Sequence, residues 1–302
     1  MERLIFGCGY LGTRVAKRWL EAGDTVFAVT RSTGRTAELE QAGVVPLVAD
    51  IHDHSTLAIL PTVDTVLYAV GFDRSGSQSI RNVFVDALGN VLSNVCGGKC
   101  SRFIYISSTG VYGQEDGQWV DEESPCQPVR EGGLACLDAE NLLLREGVPL
   151  PDGPAFEKCI LRLAGIYGPG RIPRRQQVRA GKLIAASPEG WLNLIHVDDA
   201  ARVVVAAADA SEFPDLLLVA DGCPLRREDY FKELCRQLDA PPVCFEDPGG
   251  DSGRSQRALS SKRVSNQKML ASLGLSLEFP SFSQGLEAIL AEGDERTGAE
   301  GC

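Results

Sequence analysis

No run of apolar residues in this chain is long enough to span a bilayer, so no membrane partner is expected. An excess of positive charge is also missing. Lys and Arg number 30 against 41 Asp and Glu, and the net charge of -11 argues against a nucleic-acid surface. The ten cysteines are scattered, and Cys96 and Cys100 have no second matched pair. A disulfide framework or a metal site is therefore not expected, and reduced thiols in a cytoplasmic protein are. Met1-Glu2-Arg3 runs straight into an apolar segment, so no secretory leader is expected. Internal repeats and low-complexity stretches are absent too. What remains is an ordinary composition, 44% hydrophobic and 24% charged over 302 residues, enough for one or two domains.

The most informative stretch is at the start. An apolar strand, Arg3 to Phe6, enters Gly7-Cys8-Gly9-Tyr10-Leu11-Gly12, and a helical pattern (Val15, Ala16, Trp19, Leu20) follows at once. A Gly-x-Gly-x-x-Gly between strand and helix is a phosphate cradle. Gly7 permits the tight turn, Gly9 lets a pyrophosphate approach the backbone, and Gly12 lets helix and strand pack closely. The backbone of Tyr10 and Leu11 completes the loop.

Strands and helices then alternate. Thr25–Thr30, Val44–Ala49, Thr65–Val70, Arg102–Ser107, Cys159–Leu163 and Leu216–Val219 read as strands. Thr36–Ala42, Ser79–Val95, Leu134–Arg145 and Asp198–Ala208 read as helices. Continuous apolar strands in such alternation predict an α/β fold, a Rossmann-like doubly wound parallel sheet. Its ligand crevice lies beyond the carboxyl ends of the strands, walled by Gly7 to Gly12, Arg31, Asp50, Ala69, Val70, Gly71 and Ser107 to Thr109. Pro241–Arg254 reads as a loop, and the polar tail after Ala291 as frayed.

The expected cofactor is NADP, with NAD the alternative. An NAD site carries an acid about 20 residues past the glycines, on the ribose 2′-OH. Here the second strand ends Val29-Thr30-Arg31-Ser32. Arg31 can meet a 2′-phosphate with its fork of donors, and Ser32 can add a hydroxyl. Arg31 can equally be a solvated loop residue. Asp50 and Ile51 fall beside the adenine, and Asp50 can also cap the next short helix.

Four further stretches carry a family resemblance: Ile106-Ser107-Ser108-Thr109-Gly110-Val111-Tyr112-Gly113, Arg162-Leu163-Ala164-Gly165-Ile166-Tyr167-Gly168-Pro169-Gly170, Asn193-Leu194-Ile195-His196-Val197-Asp198-Asp199-Ala200, and the C-terminal Ser261–Asn266 with Phe279-Pro280-Ser281 and Gly285-Leu286. Together they resemble the extended short-chain dehydrogenases/reductases, the NAD-dependent epimerase/dehydratase-like branch. The resemblance spans nearly the whole chain. It implies a dinucleotide domain over 1–165, with 192–220 returning to it, and a smaller substrate lobe from 166–191 and 221–290. Residues 291–302 are expected to form a disordered tail. It further implies oxidoreduction, epimerisation or dehydration of a small molecule, often a nucleotide sugar, and often a homodimer.

Two departures matter. The family spaces its glycines Gly-x-x-Gly-x-x-Gly, one residue longer than here. Its acid/base pair is a Tyr with a Lys four residues on, one helical turn apart, the Lys lowering the phenol's pKa. Aligned on Glu140, the Tyr position falls on Gly132 and the Lys position on Cys136, and neither Tyr nor Lys occurs between Gly113 and Pro151. Ser108 stands where the family keeps the Ser/Thr that hydrogen-bonds the reacting oxygen, so it is the one catalytic candidate. Its alternative is a strand-end serine satisfying backbone. Tyr112 and Tyr167 are substitute acids or packing residues, and Cys136 a reactive or a buried inert thiol. His196 is read as structural, with Asp198 or Asp199 capping the next helix. Arg171, Arg174, Arg175, Arg179 and Lys182 form a basic cluster, either a solvated face or, through Arg174 or Arg175, an anion grip. Two functions stay open: an NAD(P)-dependent enzyme, and a non-catalytic NADP(H)-binding sensor.

Overall fold

The computed structural model describes residues 1–73, 75–95, 99–146, 156–246 and 261–293. Seven strands make the central sheet: β1 (Glu2–Phe6), β2 (Thr25–Thr30), β3 (Val45–Val48), β4 (Val63–Tyr68), β5 (Cys100–Ser108), β6 (Glu157–Leu163) and β7 (Leu216–Val219). Their spatial order is β7-β6-β5-β4-β1-β2-β3, and every pairing is parallel. The helices are α1 (Gly12–Glu21), α2 (Thr36–Gln41), α3 (Ala87–Val95), α4 (Glu131–Glu146), α5 (Arg175–Arg179), α6 (Val197–Asp209), α7 (Arg227–Leu238), α8 (Gln267–Leu273) and α9 (Phe282–Ala291). This is the doubly wound α/β architecture the alternation predicts.

Apart from β3, an edge strand with no buried residue, the strands are continuous apolar runs because helices cover both faces. Leu4 and Phe6 of β1 enter one core with Val66, Tyr68, Phe103 and Tyr105, beneath Leu88 and Val91 of α3 and Leu143 of α4. Ile5 points the other way and joins Ala28, Leu67 and Ile104 beneath Val15 and Trp19 of α1 and Val203 and Val204 of α6. Alternate side chains thus feed separate layers, as the twofold repeat of a strand requires. A third, smaller core joins Tyr167, Ile172, Leu194, Tyr230, Phe231, Phe282 and Leu286 from the later parts of the chain.

Several details depart from the sequence reading. The helix expected from Ser79 opens with a π-turn over Asn82–Asp86 before α3 begins. Within the expected loop, Phe245–Glu246 pairs in parallel with Ile184–Ala185; positions 247–254 of that loop, and 294–302 of the tail, lie outside the described residues. Neither aspartate caps α6. His196 does, its Nδ1 accepting the Asp198 N–H at 3.3 Å. Asp199 is fully buried and accepts the N–H groups of Glu278 and Phe279, each at 2.8 Å, so it clamps the C-terminal segment instead. Asp50 is not a cap either. It accepts the His52 N–H, while Asp53 caps the short helix at His54.

Candidate active site

The three loop glycines meet three separate constraints. Gly7 has φ +85°, and a Cβ there would lie 2.5 Å from the Ala69 carbonyl oxygen, so both conformation and the close pass of the β4 end demand glycine. A Cβ on Gly12 would lie 2.5 Å from the Gly7 carbonyl oxygen, which is the close helix–strand contact. A Cβ on Gly9 would meet nothing within 4 Å. Gly9 therefore borders open space, as a cradle for an external phosphate must. Leu11, preceding α1, offers no side-chain cap; Thr13 N–H donates to the Gly9 carbonyl and Arg14 and Val15 N–H to the Leu11 carbonyl, so what α1 turns toward an anion is the positive end of its dipole with no side chain in the way. The residues present fit a dinucleotide.

The rest of the crevice assembles around this loop. Ala69 N–H donates to the Phe6 carbonyl at 2.8 Å, and Ala69, Val70 and Gly71 form a half-open to exposed lip. Ile51 is buried and its carbonyl is held by Asn90. Arg31 is exposed. Asp73 lies across from it, its carboxyl held below the ordinary range mainly by Ser75 and more weakly by the Arg31 charge. Ser32 accepts the Gly34 N–H through Oγ at 3.1 Å and so shapes the turn. That turn delivers a residue the sequence reading missed. Arg35 donates from Nη2 to the Cys8 carbonyl at 3.1 Å, which sets a second guanidinium against the glycine loop. A base four residues past Arg31 was the available signal.

Tyr10 links the cradle to the later chain. Its ring lies between the guanidinium groups of Arg14 and Arg171, at 4.4 and 5.4 Å, and its hydroxyl donates to the Pro169 carbonyl at 3.1 Å. Burial pushes the phenol up to about 12, so it stays protonated.

At the end of β5, Ser108 Oγ accepts the Gly110 N–H at 3.0 Å. The hydroxyl keeps its own proton to donate. Ser107 turns the other way and donates to Glu140 Oε1 at 2.5 Å. Glu140 is also gripped by Arg162, through Nε at 3.0 Å and Nη2 at 2.6 Å, and Arg162 Nη1 donates to the Tyr112 hydroxyl at 2.6 Å. Tyr112 in turn donates to the Asp121 carbonyl. Burial opposes the Arg162 charge, but Glu140 outweighs it and holds the guanidinium above its ordinary pKa. This ion pair ties α4 to β5 and β6, which is why Tyr112 is engaged in structure. Tyr167 likewise donates to the Ser281 carbonyl.

The start of α4 carries no phenol–ammonium pair. Gly132 is half-buried, and Cys136 is a buried thiol pushed by desolvation up to about 12. Such a thiol is uncharged near neutral pH and a poor nucleophile. His196 is buried, its imidazole held by desolvation below its ordinary pKa, and packs against Tyr167 and Phe279. Among the described residues Cys8, Cys126, Cys136, Cys159, Cys223, Cys235 and Cys244 form no disulfide, and no group of His, Cys, Asp or Glu is arranged to hold a metal. No described helix is long and apolar enough to cross a membrane.

A nucleotide-binding parallel sheet with a serine at the end of its fifth strand defines the class, and the class has a family. The chain belongs to the NAD dependent epimerase/dehydratase family, whose model matches residues 4–217. Over 281 residues it is 25% identical to Protein YeeZ of Escherichia coli K12, covering 91% of this chain and 95% of that one. A conserved protein of unknown function from Silicibacter pomeroyi superposes with TM-score 0.79 at 25% identity, over 97% of this chain and 99% of that one. The UDP-glucuronic acid 4-epimerase of Bacillus cereus, solved with UDP-glucuronic acid and NAD, shares the fold with TM-score 0.79 at 19% identity, over 96% and 98% of the two chains.

Proposed function

We propose that this protein is an NADP-dependent oxidoreductase of the epimerase/dehydratase family, acting on a carbonyl-bearing small molecule held against Ser108. Residues 166–191 and 221–290 form the substrate lobe in this reading. The observation that carries it is the open space at Gly9, ahead of an uncapped helix end and beside Arg35, with Arg31 exposed at the end of β2. Those two guanidinium groups suit a 2′-phosphate, and no acid at the end of β2 competes for the ribose. The bound nicotinamide supplies or accepts a hydride. Ser108 donates its hydroxyl proton as a hydrogen bond to the substrate oxygen while Gly110 N–H fixes its rotamer. Tyr10 ties the phosphate loop to the Pro169 turn, so cofactor and substrate sides are positioned together.

NADPH should raise the melting temperature more than NADH; equal shifts would remove Arg31 and Arg35 from the argument. Oxidation of NADPH should then be followed against a panel of carbonyl compounds and nucleotide sugars, with Ser108→Ala lowering kcat and leaving NADPH affinity unchanged.

A second reading is a non-catalytic NADP(H)-binding sensor. Gly132 and the neutral Cys136 thiol favour it, since neither exchanges a proton with substrate. Tight NADPH binding without turnover on any member of the panel supports it.

A further inference from the structure

Trp119–Val120 pairs with Arg263–Val264 and carries an aromatic side chain that the crevice does not use. Trp119 is 50% exposed, yet it is braced. Arg263 lies over its ring, 5.1 Å from the centroid, and over the ring of Trp191, also at 5.1 Å. The same guanidinium is fixed by donating from Nε to the Gly117 carbonyl at 2.8 Å. Arg226 lies over Trp191 at 4.4 Å and extends the stack. A large ring half in water and held by a stacked guanidinium is a rigid shelf for a flat ligand.

Trp119 also walls an open hollow of about 350 Å³, whose lining includes Asp121, Gly222, Ser265 and Asn266. Asn266 is 8% exposed. Its Nδ2 donates to the Ala220 carbonyl at 3.0 Å, which fixes the orientation of the amide and leaves Oδ1 as an acceptor. No described residue donates to that oxygen. It lies against Gly222, where φ is +76° and a Cβ would stand 2.5 Å from it, so any other residue there would cover it. Asp121 supplies a second acceptor. Its Oδ1 takes the Glu123 N–H at 3.2 Å and the Ser124 hydroxyl at 2.7 Å, while no described residue donates to Oδ2. Ser265 Oγ accepts the Gln267 N–H at 3.4 Å and keeps its own proton to give. Neither Lys nor Arg lines the hollow.

This lining selects a chemistry. Acceptors and a carboxylate repel phosphates and carboxylates and call for N–H groups. A cation would also satisfy them, but Arg263 already lies over Trp119, and a second cation on that ring meets its charge. A neutral flat ring bearing amino N–H groups meets every condition.

We propose that Trp119, Asp121 and Asn266 form a second ligand site, separate in its chemistry from the dinucleotide crevice, that takes a neutral amino-bearing heterocycle of the adenine or cytosine kind. The ring stacks on Trp119 and gives its N–H groups to Asp121 and Asn266. It spans the seam where the Ser265 N–H donates to the Val120 carbonyl at 2.9 Å, so a bound ligand fastens the C-terminal segment to the chain that follows β5.

The test is calorimetric titration of the full chain with adenosine, inosine, cytidine and uridine, with and without saturating NADP. Adenosine and cytidine carry an exocyclic amino group where inosine and uridine carry a carbonyl. None has a phosphate, so exposed guanidinium groups elsewhere offer them no charge pair. Saturable binding of adenosine or cytidine is expected in the presence of NADP, severalfold tighter than that of its carbonyl counterpart. Trp119→Ala should weaken it about tenfold, the loss of one base–aromatic stack, and Trp119→Phe should weaken it less. Asp121→Asn keeps an oxygen for Glu123 and Ser124 and sets an amide N–H in place of Oδ2, so the preference for amino over carbonyl nucleosides should narrow or reverse. Circular dichroism checks the fold of Trp119→Ala, and Asp121→Asn keeps the test intact if that variant fails to fold. No saturable binding of adenosine or cytidine, equal affinity for amino and carbonyl nucleosides, or wild-type affinity in Trp119→Ala overturns the proposal. Binding that disappears in NADP and is untouched by Trp119→Ala belongs to the crevice and overturns it as well.

Discussion

The two ends of the crevice are built on opposite plans. At the glycine loop the chain withholds side chains. Gly7, Gly9 and Gly12 leave backbone N–H groups and space, and what holds the loop is geometry. At the start of α4 the chain supplies charge. A buried Glu140–Arg162 pair anchors the helix from below, Arg130 precedes its first turn, and Lys262 donates to the Tyr112 carbonyl. A dinucleotide has a fixed pyrophosphate that one backbone shape can serve. Substrates differ, so the other end is specified by side chains. The first end thus departs from the family only in its glycine spacing, while the missing Tyr and Lys lie at the second.

The comparison makes predictions of decreasing size. Arg162→Leu leaves Glu140 buried without its partner and should destabilise the fold by about 3–5 kcal/mol in urea titrations. The double change with Glu140→Leu should recover much of that loss, because a paired apolar replacement leaves no orphan charge. Gly7→Ala should cost about 1–3 kcal/mol without any ligand, from its positive φ and the Ala69 carbonyl. Gly9→Ala should leave the ligand-free melting temperature unchanged and abolish the NADPH-induced rise. A large ligand-free loss at Gly9 would show that the loop is held by packing there as well, and would erase the contrast. Smallest is a pH effect. Lys262 is charged below about 8 and loses its proton as pH rises through that value. Because the folded ammonium sheds its proton before the unfolded one does, the ligand-free protein should gain stability in urea titrations as pH rises from about 8 to about 10. NADPH affinity, set by N–H groups and guanidinium, should stay level over that range. A flat stability alongside a changing NADPH affinity would mean that the two ends do not differ as described.

The sequence made the sheet legible for a simple reason. Strands buried on both faces are apolar runs, and β1, β2 and β4 through β7 stand out as such; β3 is an apolar run at the sheet edge with no buried residue. The cradle was equally legible, because a glycine's reasons are local to its own turn. The α4 end was legible only as a gap. Lys262 is far in the chain from the Tyr112 turn, and only the packing of the C-terminal segment brings it there. Arg35 escaped because its partner is a backbone carbonyl, which leaves no trace in residue type. The assignment of the α6 cap to an aspartate failed for a related reason. Asp199 suits a cap by chemistry, but two N–H groups from Glu278 and Phe279 compete for it, and those arrive from the end of the chain.

That C-terminal segment also has a consequence in time. Ser261 accepts the Gly117 N–H at 2.6 Å, Val264 N–H donates to Asn193 at 2.7 Å, and Arg263–Val264 pairs with Trp119–Val120. A ribosome emits these residues only after every strand of the sheet has emerged. A nascent chain can therefore assemble its phosphate loop while still tethered, before the Tyr112 turn has received its Lys262 contact and the Trp119–Val120 edge its partner. The glycine-loop end is complete before the other, and a chain clipped before residue 261 would keep the first and leave the second unfinished.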